Sequence, residues 1–160
     1  MTLQESSIYI GLLKLRKVLY SAQFVMDKTN RVVYGTPMMQ SLRAAMGHYV
    51  VAFEVQDKME RAKLMSLCIG EFANVRMDLD FMRDENMFHF KKRRRERFEF
   101  KVKDANGRTL PNPPLTAEER LDDQRYECNK WVEIYTIVAS IEADIRKYYN
   151  SISRGKTIVG

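Results

Sequence analysis

A chain of 160 residues is long enough to form one domain around a sizeable buried core. Apolar residues make up 45% and charged residues 30%, as in ordinary globular proteins, and no apolar run approaches the 18 residues that suggest a membrane span. The formal net charge of +6 favours polyanionic partners over basic ones.

The first predicted helix covers about residues 5–27, because apolar residues recur there at alternating spacings of three and four. Thr2 and Glu5 form a possible capping box, and Ser6 and Ser7 are alternative starts. The polar residues 28–31 then interrupt the pattern. The apolar face comprises Ile8, Leu12, Leu15, Leu19, Ala22 and Met26.

The second and third helices are predicted over about residues 36–56 and 58–89. Thr36 suits the N-cap of the second helix, and Pro37 suits its first position, where the missing N–H costs nothing. The apolar face of the second helix comprises Met39, Leu42, Met46, Tyr49 and Phe53. That of the third comprises Met65, Cys68, Phe72, Val75, Leu79 and Met82.

The fourth helix is predicted over about residues 116–152. Thr116 is its N-cap, Glu119 completes a capping box, and Pro113 and Pro114 prevent an earlier start. We expect the tail after Gly155 to fray. The apolar face comprises Trp131, Ile134, Val138, Ile141, Ile145, Tyr148 and Ile152.

Four amphipathic helices with this spacing predict an all-α fold, an antiparallel up-down four-helix bundle forming a single domain over residues 1–160. The exception is a long connection over about residues 90–115. Phe98, Phe100 and Val102 alternate there with charged residues, and residues 104–107 have the composition of a turn. The pattern predicts a basic β-hairpin-like excursion between the third and fourth helices.

This excursion holds the excess charge of the chain. Residues 91–103 contain eight basic and two acidic side chains, whereas the other 147 residues contain 19 of each. A concentrated cationic segment attracts nucleic acid, because each neutralised phosphate releases a condensed counterion. A solvated charged loop is the alternative interpretation.

Several side chains are candidates for nucleic-acid binding. The basic residues of the excursion would contact phosphates: Lys91, Lys92, Arg93, Arg94, Arg95, Arg97, Lys101 and Lys103. Phe98 and Phe100 would either stack on unpaired bases or, as is commoner for alternating aromatics, pack their strand onto the bundle. Lys28 and Arg31, between the first two helices, are secondary candidates that also suit surface or capping roles.

The sequence offers little for catalysis. His48 and His89 are isolated, the glycines form no phosphate-binding loop, and no G-x-S-x-G motif exists, so we expect a non-enzyme without metal or cofactor. The acidic residues Asp78, Asp80, Asp84 and Glu85 are typical of a solvated face.

Cys68 and Cys128 fall on apolar stripes and are expected to be reduced core thiols. Without a signal-peptide pattern, we expect a cytoplasmic protein without membrane contact.

One stretch resembles a known family. Residues 28–35, Lys-Thr-Asn-Arg-Val-Val-Tyr-Gly, resemble the Lys-x-x-Arg-x-x-x-Gly link between helices 1 and 2 of the accessory variability determinant (Avd) proteins of diversity-generating retroelements and of related rRNA intervening-sequence proteins. Asp27 stands where that family usually has proline. Residues 71–76 resemble its Glu-Leu-x-x-Leu-Arg segment, and residues 142–149 resemble its closing helix.

The resemblance implies a specific function. Avd proteins form pentameric barrels with a basic surface, associate with a reverse transcriptase and its template RNA, and support mutagenic cDNA synthesis without being catalytic. For this chain it therefore implies a homo-oligomer, a pentamer, with a reverse transcriptase and RNA as partners.

Two other functions fit the same features. The chain would be a protein-interaction bundle if its basic arm docks an acidic partner, or a self-assembly module if the hairpin pairs with a neighbouring protomer. A nuclear localisation signal is a third reading of the Lys/Arg run and carries little weight, since such runs occur often by chance.

Overall fold

A computed structural model describes residues 1–88, 90, 104–108 and 116–158, and within these ranges all regular secondary structure is helical. A single 3-10 turn, Leu3–Glu5, precedes the first long helix. The helices are α1 (Ser7–Gln23), α2 (Lys28–Asn30), α3 (Thr36–Glu54), α4 (Lys58–Asp84) and α5 (Ala117–Ile158), with a π-helical segment (Arg31–Gly35) joining α2 to α3. The prediction of an all-helical chain is confirmed for these residues.

The chain divides into two compact units, Met1–Phe88 with Ile134–Gly160, and His89–Glu133. In the first unit α1, α3, α4 and the second part of α5 contribute to an apolar core. In the second unit the ring of Phe90 meets that of Trp131 edge-on, with centroids 5.6 Å apart.

The predicted apolar faces of α1 and α4 form much of this core, and every residue assigned to them is buried. Ile134, Val138, Ile141, Ile145 and Ile152 of α5 are buried as predicted, whereas Trp131 and Tyr148 are half-buried. Complete burial of such a side chain contributes about 1.5–3 kcal/mol, so these faces hold the helices together.

In α3 the predicted face is wrong by one residue at its start. Met38 is fully buried, and Met39, which was assigned to the core, is half-buried. Leu42, Met46 and Tyr49 are buried as expected. Met38 and Met39 are equally apolar and lie four and three residues before Leu42, so the sequence pattern could not show which of them faces the core.

The helix starts are fixed by side-chain caps. Ser6 Oγ accepts a hydrogen bond from the Tyr9 N–H at 3.4 Å, which makes Ser6 the N-cap of α1. The Thr2–Glu5 capping box belongs to the preceding 3-10 turn instead. Thr116 caps α5 as predicted, since its Oγ1 accepts from the Glu119 N–H at 3.1 Å.

The break predicted at residues 28–31 lies earlier, at residues 24–27, because α1 ends at Gln23 and the backbone is helical from Lys28 into α3. The Thr36 N–H bonds to the Arg31 carbonyl, five residues back, so Thr36 lies inside a π turn and is no N-cap. Pro37 gives a physical reason. In a regular α-helix its ring would collide with the carbonyl four residues earlier, and the wider π turn directly before it relieves that collision.

The third predicted helix also ends earlier than expected. Asn86 adopts the left-handed conformation, with φ 54°, and the Met87 N–H returns to the Met82 carbonyl at 2.9 Å. This is a Schellman-type ending, which stops α4 at Asp84 and not at residue 89. Conversely, α5 runs to Ile158, past the predicted end at 152, because one glycine costs a helix only about 1 kcal/mol.

No helix within the described ranges is both long and apolar enough to cross a membrane.

Candidate nucleic-acid interface

Most of the predicted nucleic-acid contacts lie outside the described residues. These are Lys91, Lys92, Arg93, Arg94, Arg95, Arg97, Phe98, Phe100, Lys101 and Lys103. The structure does describe Lys28 and Arg31, together with a five-residue turn of the excursion. Lys28 and Arg31 belong to the first unit and the turn to the second, so each is described by itself.

The turn over residues 104–108 has the predicted composition and a well-defined geometry. Asp104 Oδ1 accepts the N–H groups of Asn106 and Arg108, each at 2.9 Å, and the Asp104 N–H donates to the Arg108 carbonyl at 2.9 Å. Gly107 has φ +76°, a conformation that strains other residues. The predicted turn is therefore present, whereas the strands predicted on either side lie outside the described ranges.

Arg31 is a packing residue at the corner between α1 and α2. Its Nη2 donates to the Met26 carbonyl at 3.5 Å, and its guanidinium carbon lies 5.3 Å from the centre of the Phe24 ring. Its Nε is buried and makes no hydrogen bond within the described part of the chain. Arg31 therefore holds the link that follows α1 and stacks on Phe24, while Lys28, which is exposed, keeps its charge in solvent.

Aromatic side chains next to Arg31 belong to the same surface, although the sequence analysis did not select them. Tyr20 and Phe24 are each more than half exposed, and their rings meet edge-on with centroids 5.1 Å apart. The available signal was a second series of apolar residues along α1, offset from the core series. A surface that combines exposed rings with cations can bind unpaired bases as well as phosphates.

The described helices also carry a charge asymmetry that the whole-chain balance conceals. Residues 6–53 contain six basic side chains and one acidic side chain. Lys14, Arg16, Lys17 and Arg43 belong to this set and are all exposed. The whole-chain count hides this second cationic region, because the residues outside both basic segments carry the compensating negative charge. A charge count over short windows of the sequence would have shown it.

The acidic cluster at the end of α4 is solvated only in part, because Asp84 and Glu85 are exposed as predicted whereas Asp80 is half-buried. The Tyr135 hydroxyl donates to Asp80 Oδ1 at 2.5 Å, and the Arg83 guanidinium lies 5.0 Å from the centre of the Tyr135 ring. Burial, together with the bond to Asp80, raises the pKa of Tyr135 to about 12. Asp78 is half-buried, and burial raises the pKa of its carboxyl. Asp80 therefore serves the contact between α4 and α5, whereas Asp84 pairs with Arg83 of its own helix.

A groove of about 260 Å³ lies between α4 and α5. Phe72, Ala73 and Ile145 contribute apolar lining, and an ion pair between Arg76 Nη1 and Glu142 Oε2, 2.6 Å long, lies at the groove. Across the described ranges no group of three His, Cys, Asp or Glu side chains could hold a metal ion.

Of the two cysteines predicted to lie in the core, only one does. Cys68 is fully buried, and burial raises the pKa of its thiol to about 12. Cys128, which was assigned to an apolar stripe, is exposed. Periodicity identified the residues that share a helix face but could not tell whether another element covers that face.

His48 is half-buried. Helices α1 and α3 therefore carry exposed lysines and arginines, and the exposed rings of Tyr20 and Phe24 lie at the end of α1. None of the family models, curated proteins and solved structures compared with this chain matches it.

Proposed function

We propose that this chain is a non-catalytic nucleic-acid-binding accessory protein, with RNA as its favoured ligand. The observation that carries the proposal is the concentration of charge in residues 91–103, eight basic side chains against two acidic ones. By resemblance to the Avd proteins, it would act with a retroelement reverse transcriptase and its template RNA in mutagenic cDNA synthesis, as a homo-oligomer and by resemblance a pentamer.

Binding would be driven mainly by counterion release at phosphates. The basic residues of the arm, from Lys91 to Lys103, would supply most contacts, and Lys28 would add one from the described surface. Arg31 would act next to it through its stack on Phe24. Phe98 and Phe100 would stack on unpaired bases.

The arrangement that we propose for the helices is the antiparallel up-down bundle. Three contacts support it. Ser6, at the start of α1, hydrogen-bonds Tyr49 near the end of α3. Between α4 and α5, Asp80 bonds Tyr135 and the earlier Arg76 pairs with the later Glu142, so these two helices run in opposite directions. The turn at Asp104 supports a hairpin-like arm, because its backbone N–H and that of Arg108 close a tight reversal.

The test is the binding of labelled structured RNA and duplex DNA over a series of salt concentrations. In the full chain, replacing Arg93, Arg94 and Arg95 by alanine should weaken binding similarly for all sequences. For a single-stranded ligand it should also lower the log–log salt slope by about 2, at roughly 0.7 per lost contact. A chain lacking residues 91–112 should lose nearly all binding.

A matched control removes the same charge elsewhere. Lys58, Lys63 and Lys147 are exposed on α4 and α5, and their replacement by alanine should leave affinity and salt slope nearly unchanged. Equal losses in both triple variants would mean that overall charge, not the arm, attracts RNA. Unchanged binding after deletion of the arm would contradict the proposal.

A second function is favoured by the apolar residues exposed on α1 and α4, which suit a protein-interaction or self-assembly bundle. In that case the basic arm would dock an acidic partner or a neighbouring protomer. Pairing of the arm with a neighbouring protomer should depend far less on salt than phosphate binding does.

A further inference from the structure

Helix α1 has a second apolar face on the side opposite the core. Ile10, Leu13, Tyr20 and Phe24 are 41% to 56% exposed, and with Lys17 they follow one another at spacings of three, four, three and four. At 100° per residue this stripe, the α1 outer face, points about 160° away from the buried stripe. It is roughly 21 Å long, the length of a helix–helix contact.

Helix α4 has a comparable outer face. Met59, Leu67, Met77 and Phe81 are 44% to 70% exposed and lie on the side away from the buried residues of that helix. Gly70 lies in the middle of this stripe, and a Cβ built on it would meet nothing within 4 Å. A small residue there lets the backbone of another helix approach closely. We refer to these residues as the α4 outer face.

The two outer faces have opposite charge. Helix α1 has no acidic residue, and Lys14, Arg16 and Lys17 lie in or beside its outer face. The outer half of α4 carries Glu60, Glu71, Asp78 and Asp84 against Lys63. Arg76 pairs with Glu142 of α5, whereas Arg83 pairs with Asp84 at 3.3 Å, so the excess acidic charge of this half rests on Glu60, Glu71 and Asp78.

We propose that copies of this chain assemble head to tail, the α1 outer face of one copy packing against the α4 outer face of the next. The exposed apolar residues of the two faces would form the centre, and the lysines of α1 would pair with the carboxylates of α4 at the rim. Packing α1 against α1 would oppose like charges, which disfavours a two-fold dimer through this helix. A heterologous contact of this kind closes into a ring or grows into a filament.

The proposal names the surfaces that would form the homo-oligomer, and it does not require RNA binding. RNA binding and assembly are measured by different experiments, so each can be disproved without the other. Loss of RNA binding is read from affinity, whereas loss of assembly is read from the mass of the protein in solution.

The experiment compares full-length chains by light scattering coupled to size exclusion. One variant carries Ile10→Glu and Leu13→Glu, which repel the acidic α4 outer face. The other carries Leu67→Lys and Met77→Lys, which repel the basic α1 outer face. All four positions are exposed and both new residues are good helix formers, so circular dichroism and melting temperature should match those of the wild type.

The wild type should be oligomeric, and each variant should dissociate with a constant about a hundredfold higher or more. An equimolar mixture of the two variants should reassemble, because each retains the face that the other lacks. Val51→Glu, an equally exposed position on α3, should assemble like the wild type.

A monomeric wild type would overturn the proposal. Normal assembly of either double variant, or a mixture that stays monomeric, would also contradict the proposal. If the α1 variant keeps its mass but loses RNA affinity, the α1 outer face binds nucleic acid instead.

Discussion

Gly11 of α1 lies so close to Ile141 of α5 that a Cβ built on Gly11 would be 2.9 Å from Ile141 Cγ1. Ile141 is buried, so its side chain has little room to move. The hydrogen atom that glycine has in place of a side chain therefore sets the distance between these two helices.

Replacing Gly11 by alanine should lower the free energy of unfolding. Alanine stabilises a helix by about 1 kcal/mol relative to glycine, whereas overpacking a core costs about 1–3 kcal/mol. Because the new Cβ would lie so close to Ile141, we expect a cost near the upper end of that range. Gly47→Ala is the matched control, since nothing lies within 4 Å of that position, and it should stabilise the fold. Urea unfolding of the two variants gives the comparison, and stabilisation by both would show that α5 can move away from α1.

The bond from Tyr135 to Asp80 should make stability fall at alkaline pH. The pKa of Tyr135 is raised to about 12 in the folded chain, above the value of about 10 for an unfolded tyrosine. The folded state therefore keeps its proton longer, so stability is constant below pH ~10 and is lost as the pH rises toward 12.

Tyr135→Phe removes that group. It should cost about 1 kcal/mol at pH 8 through the lost hydrogen bond and make the alkaline decline shallower. Unfolding in urea between pH 8 and 11.5 measures both effects. The exposed Tyr20→Phe serves as the control. An alkaline decline as steep in Tyr135→Phe as in the wild type would assign it to other groups, such as Cys68.

The two cysteines should differ sharply in reactivity. The thiolate is the reactive form, and the thiol of Cys68 is both buried and raised in pKa to about 12, whereas Cys128 is exposed. A thiol reagent at pH 8 should label one equivalent in the native protein and two in denaturant. Cys128→Ser should remove the fast reaction, and rapid labelling in that variant would mean that the first unit opens readily.

Lys28 and Arg31 should respond differently to alanine replacement, although both were selected on their charge. Lys28 is exposed, so Lys28→Ala should lower RNA affinity and reduce the salt slope by about 1 without affecting stability. Arg31→Ala should also lower the melting temperature, because it removes the contacts with Met26 and Phe24. Equal melting temperatures for the two variants would show that the Arg31 contacts contribute nothing measurable.

Helical periodicity was sufficient to predict most of the core. The seams through Leu12 and Leu79 repeat at three and four residues without interruption, and every residue assigned to them is buried. Periodicity failed where it gave no preference, as at Met38 and Met39, and at Cys128, which lies in register but is exposed. The second apolar series of α1 was also readable in the sequence, but periodicity alone does not show which of two faces is covered.

The site was less predictable, because its contacts join residues far apart in the chain. Asp80 and Tyr135 are separated by 55 positions, and no local pattern links them. Arg31 matched a cationic motif, but its role at the end of α1 depends on the position of Phe24 and the Met26 carbonyl. Charge counting in short windows was the one sequence method that could have revealed the basic surface of α1 to α3.

The π turn over Arg31–Gly35 has a consequence for comparing this chain with its relatives. A π turn holds one more residue than an α turn, so it is equivalent to a single-residue insertion in a helix. A homologue with one residue fewer here could keep the same helix in ordinary α geometry, with the preceding residues turned by about 100°. An alignment gap at these positions would then mark a local change in winding, not a loop, and Lys28 would point in a different direction in each version.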